Sequence, residues 1–220
     1  MPPFESIEEP FLRRYLQAYL ACISYVDACV GRVLAALEAS GHAEDTIIVF
    51  LGDHGYQMGE YDSWGHKHSN FEISTRAPLL IHAPGMKLAG TSTSQPTEFL
   101  DLYPTLCDLA GLAQPKHLEG KSFARLLDDP SASHRKAACS EMMRRGRLGR
   151  SIRNRDFRYT EWRNKQKQIV ARELYDHRND HKNGLLETEN VVEREEFAEV
   201  KVRLSRQLHQ LVPHNTPSPK

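Results

Sequence analysis

The stretch that decides the fold is TIIVFLGDHG, residues 46–55. Residues 46–51 are β-branched or apolar without interruption, which is typical of a strand buried on both faces of a sheet. The four residues that follow are polar or glycine and lie just past the carboxyl end of that strand. Ligands in open α/β sheets bind at this edge. The stretch therefore predicts a binding site at Asp53 and His54.

An amphipathic helix is predicted immediately before this strand, over residues 11–40. Its apolar residues recur at three- and four-residue steps and form one stripe: Tyr15, Tyr19, Cys22, Val26, Val30, Val33 and Leu37. Gly41 is at the position where a C-terminal cap is expected. A helix that leads directly into a buried strand is half of a βαβ unit, so this part of the chain is predicted to be α/β.

Further elements are predicted beyond the polar loop at residues 55–70. A second strand is expected at 77–83, where the turn Pro84-Gly85 closes it. A helix is expected at 98–111, with a kink or a new start near Tyr103 because Pro104 interrupts the pattern.

Composition changes after residue 114, and short β-like runs separated by turns then predict a small antiparallel sheet. These runs lie at residues 137–143, 150–153, 157–162 and 173–175. A short helical stretch is expected at 123–127 and a terminal amphipathic helix at 193–211, and residues 214–220 are predicted to be disordered. The predicted domains are therefore residues 1–130, residues 131–213 and the tail.

Overall composition excludes several classes of protein. Lys plus Arg equals Asp plus Glu at 29 each, which argues against a nucleic-acid surface. Four cysteines without a CxxC pair argue against a disulfide scaffold and a zinc ribbon. No run approaches the roughly 20 apolar residues of a membrane span. The first residues do not have the pattern of a signal peptide, so the sequence itself indicates no compartment.

Asp53 and His54 are residue types that bind cations and anions. Aspartate is a hard oxygen ligand for a divalent cation, and an imidazole is a metal ligand or a hydrogen-bond partner for substrate. Lys67, within Trp64-Gly65-His66-Lys67-His68, supplies a point charge suited to a tetrahedral oxyanion. The alternative is a polar turn in which Asp53 caps a backbone amide and Lys67 is an exposed loop residue.

Five blocks occur here in an order that resembles the type I sulfatases of the alkaline-phosphatase superfamily, and above all their iduronate-2-sulfatase-like members. The blocks are VDACVGRVLAALEASG, TIIVFLGDHGYQMGEYDSWGHKHSNFE, RAPLLIHAPG, DLYPTLCDLAG and ELYDH. The resemblance implies an alkaline-phosphatase-like α/β fold. This chain would form the later part of a mixed central sheet flanked by helices, followed by a small C-terminal antiparallel sheet and a terminal helix.

The resemblance also implies roles for individual residues. Asp53 and His54 would be ligands of one calcium ion, and Lys67 would contact the sulfate of the substrate. This sequence has both Gly65 and His66 between Trp64 and Lys67, where the family usually has one residue. His66 or His68 is therefore an alternative sulfate contact.

One family feature is missing from these 220 residues. The family nucleophile is a formylglycine made within a C-x-P-S-R motif, and no such motif surrounds Cys22, Cys29, Cys107 or Cys139. The family's upstream pair of metal-binding aspartates is missing too. The expected function is therefore that of a sulfuric ester hydrolase fragment without its own catalytic residue, inactive alone and partnered by a missing N-terminal half. The expected substrate is a sulfated small molecule or glycan, and the compartment implied is periplasmic, secreted or lysosomal.

Two other functions are compatible with the same residues. One is a phosphonate or phosphate monoester hydrolase of the same superfamily, and the other is a non-catalytic remnant that binds a sulfated glycan or a partner chain. The basic stretch at residues 144–150 has three interpretations. A solvated hairpin face is favoured, a contact surface for a sulfated glycan comes second, and a nucleic-acid-binding surface comes last.

Overall fold

The computed structural model describes residues 8–178 and 187–212. The chain divides into two compact units, and the chain passes between them more than once. The first unit comprises Met1–Lys67 and Pro78–Gly85, and the second comprises His68–Ala77 and Met86–Lys220. The predicted boundary at residue 130 stays a prediction, and the predicted disordered tail at 214–220 lies outside the described residues.

The first unit begins with the long helix α1, Glu9–Ala39, which confirms the predicted helix. Gly41 follows it with a φ of 77°, the left-handed conformation expected just after a helix. No residue of α1 is buried. Two aromatic contacts attach it to the rest of the unit: Tyr15 lies edge-on to Trp64 and Tyr19 lies edge-on to Tyr56.

A two-stranded antiparallel sheet completes the first unit. Strand β1, Ile48–Leu51, pairs with β2, Leu79–His82. The prediction that β1 is buried on both faces is not met within these 220 residues, because Phe50 is 42% exposed and Leu51 is 39% exposed. Leu80 of β2 is exposed as well, so part of the apolar surface that the pattern assigns to a core faces solvent here.

By length and composition alone, α1 is apolar enough to cross a membrane. The core helices of other proteins pass the same test, so this finding assigns no location. Asp27, which lies well inside the helix, would be costly at bilayer depth. The expectation that the chain has no membrane span stays a prediction.

The second unit has three helical segments before its sheet: α2 at Glu72–Thr75, α3 at Leu102–Leu109 and α4 at Arg125–Asp128. A 3₁₀ turn, Phe99–Asp101, leads directly into α3. Pro104 is in the first turn of α3, where a missing N–H costs no hydrogen bond. The predicted helix start near Tyr103 is confirmed.

The buried carboxylate of Asp101 connects separate parts of this unit. It accepts hydrogen bonds from the backbone N–H of Lys121 at 2.7 Å and from Nε of Arg135 at 2.7 Å. It also accepts the backbone N–H of Glu98 at 3.1 Å, and the Glu98 side chain accepts the backbone N–H of Asp101, which completes a capping box around the 3₁₀ turn. Glu98 then accepts the backbone N–H of Cys139 at 2.7 Å, which connects the turn to the sheet.

A four-stranded antiparallel meander confirms the predicted small sheet. Its strands are β3 (Ala138–Arg144), β4 (Arg147–Arg153), β5 (Phe157–Arg163) and β6 (Ile169–Asp176), and they lie side by side in that order. The second and fourth strands are longer than predicted, because they begin earlier, at Arg147 and at Ile169. Arg144, Arg145 and Arg147 of the basic stretch are exposed, as expected for the solvated hairpin face that the sequence favoured. Arg150, however, is buried and pairs with Glu141.

The terminal helix α5, Ala198–Leu211, follows a 3₁₀ turn at Glu195–Phe197 and confirms the predicted terminal helix. It packs its apolar face against the sheet. The buried core comprises Ala137, Ile152, Phe157, Tyr159, Leu174, Val191, Val192, Phe197, Leu204 and Leu208. Leu204 and Leu208 are four residues apart and so lie on the same face of the helix.

Candidate functional site

The predicted site begins where β1 ends. The backbone N–H of Gly52 donates to the carbonyl of Pro78 at 3.1 Å, so the end of β1 is held to the residue just before β2. A Cβ at Gly52 would lie 3.2 Å from the Pro78 ring, and one at Gly55 would lie 3.1 Å from the Tyr19 hydroxyl. Glycine at both positions therefore lets the turn between them pack closely.

Asp53 is the most exposed side chain of this turn, at 82%. One of its oxygens, Oδ1, accepts the backbone N–H of His54 at 2.8 Å. This is the backbone-capping contact that the simpler interpretation of the sequence predicted. The other oxygen, Oδ2, lies 3.5 Å from Nε2 of His54 and faces solvent. The capping contact therefore leaves one carboxylate oxygen available to a ligand.

A short hairpin within the loop returns the chain to this turn. The backbone N–H of Gln57 donates to the carbonyl of His66 at 2.8 Å, and that of Gly65 donates to the carbonyl of Gln57 at 2.8 Å. Next to these bonds, toward the turn, Met58 and Trp64 form a β-bridge. The hairpin turns through Tyr61 and Asp62, both with positive φ. It places Lys67 beside His54.

Lys67 contacts His54 directly, with Nζ 2.7 Å from Nε2. An ammonium group has donors only, so Nε2 is the acceptor and the ring proton belongs on Nδ1. Nδ1 is 3.4 Å from the carbonyl of Gly55, which is consistent with that tautomer. The ring of Tyr56 lies edge-on to the imidazole at 5.9 Å and fixes its plane from a second side.

The structure thus brings together three of the predicted site residues, Asp53, His54 and Lys67, within the first unit. His66 and His68 are both exposed. His66 takes part in the hairpin through its carbonyl oxygen. Sequence reasoning missed Tyr56. It also missed the hairpin, whose only advance signal was the glycine pair Gly59 and Gly65 on either side of a short acidic turn.

Calcium, the cofactor implied by the resemblance, fits these donors in part. Asp53 offers the hard oxygen that calcium prefers. His54 offers a nitrogen, which is an uncommon calcium ligand, and that nitrogen already accepts a hydrogen bond from Lys67. Direct coordination by His54 would require the ammonium to move away. Two side chains also leave most of the six to eight calcium positions to other donors.

The second unit contains another group with ligand chemistry, formed by Glu72, His177 and Glu187. Arg158 already occupies its centre: the guanidinium donates to Glu187 and, at 2.7 Å, to Glu72. His177 lies 3.0 Å from Glu187. Burial alone would raise the pKa of Glu187, but His177 and Arg158 outweigh it and hold this pKa below its usual value. The cluster is therefore an internal ion-pair network that holds α2 to the sheet.

Two family models match the chain. One, described as Sulfatase, matches residues 3–112, and the other, described as N-sulphoglucosamine sulphohydrolase, C-terminal, matches residues 59–214. The chain belongs to the sulfatase family. The two matches together span both units, including the turn at Asp53 and the sheet.

Curated relatives agree with this assignment. A sulfatase of Formosa agariphila is 44% identical over 115 residues, which are 52% of this chain and 22% of the relative. The iduronate 2-sulfatase of Mus musculus is 38% identical over 145 residues, covering 55% of this chain and 26% of the relative. The chain therefore spans about a quarter of the length of these sulfatases.

Two solved structures confirm the sulfatase fold. The protein BT4656, solved in complex with its substrate D-glucosamine-2-N,6-O-disulfate, superposes with a TM-score of 0.82 at 29% identity, over 94% of this chain and 42% of that one. A putative sulfatase from Bacteroides thetaiotaomicron superposes with a TM-score of 0.78 at 28% identity, over 92% and 44% of the two chains.

Proposed function

We propose that this chain supplies the calcium-binding and sulfate-binding side of a sulfuric ester hydrolase site. The observation that carries the proposal is the grouping of Asp53, His54 and Lys67 at the end of β1. A carboxylate next to a paired imidazole and ammonium suits a metal-bound tetrahedral anion better than it suits a plain surface turn.

Each side chain would have a separate task. Lys67 would stabilise the negative charge on a sulfate oxygen, since a fixed ammonium is a point charge held close to the anion. His54 would orient that lysine through Nε2, where the two groups already meet. Asp53 would bind calcium through Oδ2. The calcium ion, when bound, would polarise the sulfate as a Lewis acid.

The nucleophile would come from polypeptide outside these 220 residues. The C-x-P-S-R motif that yields formylglycine in the family does not occur in the sequence. Cys139 is a poor substitute, because burial raises the pKa of its thiol to about 12 and Glu98 adds to that effect. We therefore propose that the chain alone has negligible turnover and acts with a missing N-terminal half.

A sulfated sugar is the substrate class that we propose. The structural neighbour BT4656 binds a sulfated glucosamine, and another relative is named iduronate 2-sulfatase. The periplasmic, secreted or lysosomal location implied by the resemblance stays a prediction.

Calcium titration of the purified chain tests the metal half of the proposal. The wild-type chain should bind calcium weakly, and Asp53→Asn should weaken binding about tenfold, since a neutral amide replaces the charged ligand. Asp62→Asn is the matched control, because Asp62 is an exposed carboxylate on the same loop with a backbone conformation that asparagine tolerates. Equal affinity of the wild type and Asp53→Asn would refute the metal assignment.

A turnover assay tests the proposal that this chain does not supply the nucleophile. The chain is incubated with an aryl sulfate and calcium, and product release is compared with that of a buffer blank. We expect no difference. Calcium-dependent turnover by the purified chain would overturn the proposal that the nucleophile lies elsewhere.

A further inference from the structure

An open groove of about 650 Å³ runs along the second unit between α5 and the sheet. Tyr159 of β5 lies at its base, and Arg172 of β6 forms one wall. Helix α5 forms the other wall with Lys201, Ser205, Arg206 and His209. The groove shares no residue with the Asp53, His54 and Lys67 site.

The walls of this groove are strongly basic. Arg172 and Arg206 are exposed, and no carboxylate within the described residues lies within ion-pair distance of either guanidinium. Lys201 lies 3.8 Å from Glu193, but that carboxylate is 85% exposed. An exposed pair at this distance contributes little, so Lys201 retains most of its ability to attract an anion. Three full positive charges therefore border one groove in a chain whose net charge is zero.

A buried carboxylate beneath the groove does not cancel these charges, because its own partners already neutralise it. Glu161 is 1% exposed and accepts from the Tyr159 hydroxyl at 3.0 Å and from the Ser205 hydroxyl at 2.8 Å. Nη2 of Arg163 donates to it at 2.7 Å, and Nε2 of His209 lies 2.8 Å from it. These contacts fix α5 against the sheet, so the helical wall is held in place before any ligand arrives.

We propose that this groove is a second anion site that binds a sulfated glycan chain. Guanidinium groups match the planar faces of oxyanions, and an ammonium adds a point charge. An open groove suits an extended polymer better than a small molecule that needs enclosure. The choice of a sulfated sugar among anionic polymers rests on the proposed function. Nucleic acid fits less well because Tyr159 is fully buried and offers no ring for a base to stack on.

Binding of a heparin octasaccharide to the full chain tests the proposal. The variant Arg172→Ala/Arg206→Ala should weaken binding about tenfold, because each exposed ion pair contributes only modestly. The dependence of log affinity on log salt should also become shallower by roughly two, one for each cation removed. Arg172→Lys/Arg206→Lys should recover most of the salt dependence because it keeps both charges.

The matched control is Arg145→Gln/Arg203→Ala, which removes two exposed arginines of the same unit that do not line the groove. We expect its affinity to stay within about twofold of the wild type. Unfolding midpoints of all variants are measured alongside, so that a loss of structure is separated from a loss of contacts. Loss of binding in the control with retention in the groove variant would overturn the proposal and favour Arg145 and Arg203 as the contacts.

Two further comparisons separate this site from the proposed sulfatase site. Lys67→Met should leave heparin binding by the groove in place, and Arg172→Ala/Arg206→Ala should leave calcium binding unchanged. Heparin binding that depends on Lys67 alone would refute the groove while leaving the proposed function standing. Equal binding of an unsulfated octasaccharide or a thymidine octanucleotide would refute the preference for sulfated sugar.

Discussion

Nζ of Lys67 lies 2.7 Å from Nε2 of His54, although the two residues are 13 positions apart. The hairpin between them, closed by reciprocal bonds of Gln57 with Gly65 and His66, brings them together. The lysine therefore determines which imidazole nitrogen carries the proton, and the imidazole in turn positions the ammonium.

Replacing Lys67 should change the tautomer of His54. In the wild type we expect the proton on Nδ1, because Nε2 accepts from the lysine. Lys67→Met removes that donor, so both neutral tautomers should become populated. Nitrogen chemical shifts of the imidazole measure this, and Lys87→Met is the control for loss of an exposed lysine. An unchanged tautomer in Lys67→Met would contradict the contact.

Asp101 should stabilise the second unit in a pH-dependent way. Burial alone would raise the pKa of Asp101, but hydrogen bonds from Arg135, Lys121, Glu98 and His134 outweigh it, and this pKa is lowered below 3.8. A lowered folded-state pKa means that the contribution is fully present above the unfolded value and is lost as the pH falls through the folded value.

The variant Asp101→Asn tests this expectation. At neutral pH it should lower the free energy of unfolding by about 3 kcal/mol, because Arg135 loses its buried charged partner. The difference from the wild type should shrink as the pH falls below 3.8, where the wild-type carboxylate begins to protonate. Urea unfolding over a pH series measures this. A difference that is constant with pH would contradict the charged interaction.

Gly120 should not tolerate any side chain. A Cβ there would lie 1.9 Å from the carbonyl oxygen of Leu100 and 2.6 Å from its carbonyl carbon. Both atoms belong to the backbone, so the clash cannot be relieved by a rotamer change. Gly120→Ala should lower the unfolding free energy by about 2 kcal/mol or more.

The matched control for this change is Gly31→Ala, since a Cβ at Gly31 meets nothing within 4 Å and the site is inside α1. There we expect a gain of about 0.5–1 kcal/mol from helix propensity. Thermal unfolding followed by circular dichroism compares the two. A Gly120→Ala chain as stable as the wild type would show that the close approach to Leu100 is wrong.

Arg158 should be the critical member of the buried ion-pair network. It is 1% exposed and donates to both Glu72 and Glu187. Arg158→Met would remove the cation that pairs with the buried carboxylates of Glu72 and Glu187. We expect this to lower the free energy of unfolding by about 3–5 kcal/mol. Arg76→Met, at an exposed position, should cost less than about 0.5 kcal/mol. Similar unfolding midpoints for the two variants would argue against a structural role for the network.

Periodicity predicted most of the secondary structure. The stripe along α1 has the helical repeat over its whole length. The apolar run before Gly52 predicts a strand through its short length, its β-branched residues and the glycine that follows it. Burial could not be predicted in the same way. Phe50 and Leu80 have the residue types of a core, yet they are exposed because burial depends on which other segments cover a sheet.

The candidate site was predictable in its residues but not in its geometry. Asp53 and His54 were selected because they follow a strand end. Lys67 was selected because a loop lysine suits an oxyanion and because the resemblance assigns it the sulfate contact. The hairpin that brings Lys67 to His54 has no alternating apolar pattern, and its turn places Tyr61 and Asp62 at positive φ without a glycine. Likewise, Arg150 lies in a basic run but is buried, because Glu141 on the neighbouring strand pairs with it.

The division of the chain between its two units has a consequence for how the protein is cut and expressed. The polypeptide crosses from one unit to the other after Lys67, returns before Pro78 and leaves again after Gly85. A truncation at the first crossing would remove β2, the strand with which β1 pairs. Isolating the first unit therefore requires replacing residues 68–77 with a linker. After a single proteolytic cut there, the non-covalent pairing of β1 with β2 would hold the two fragments together.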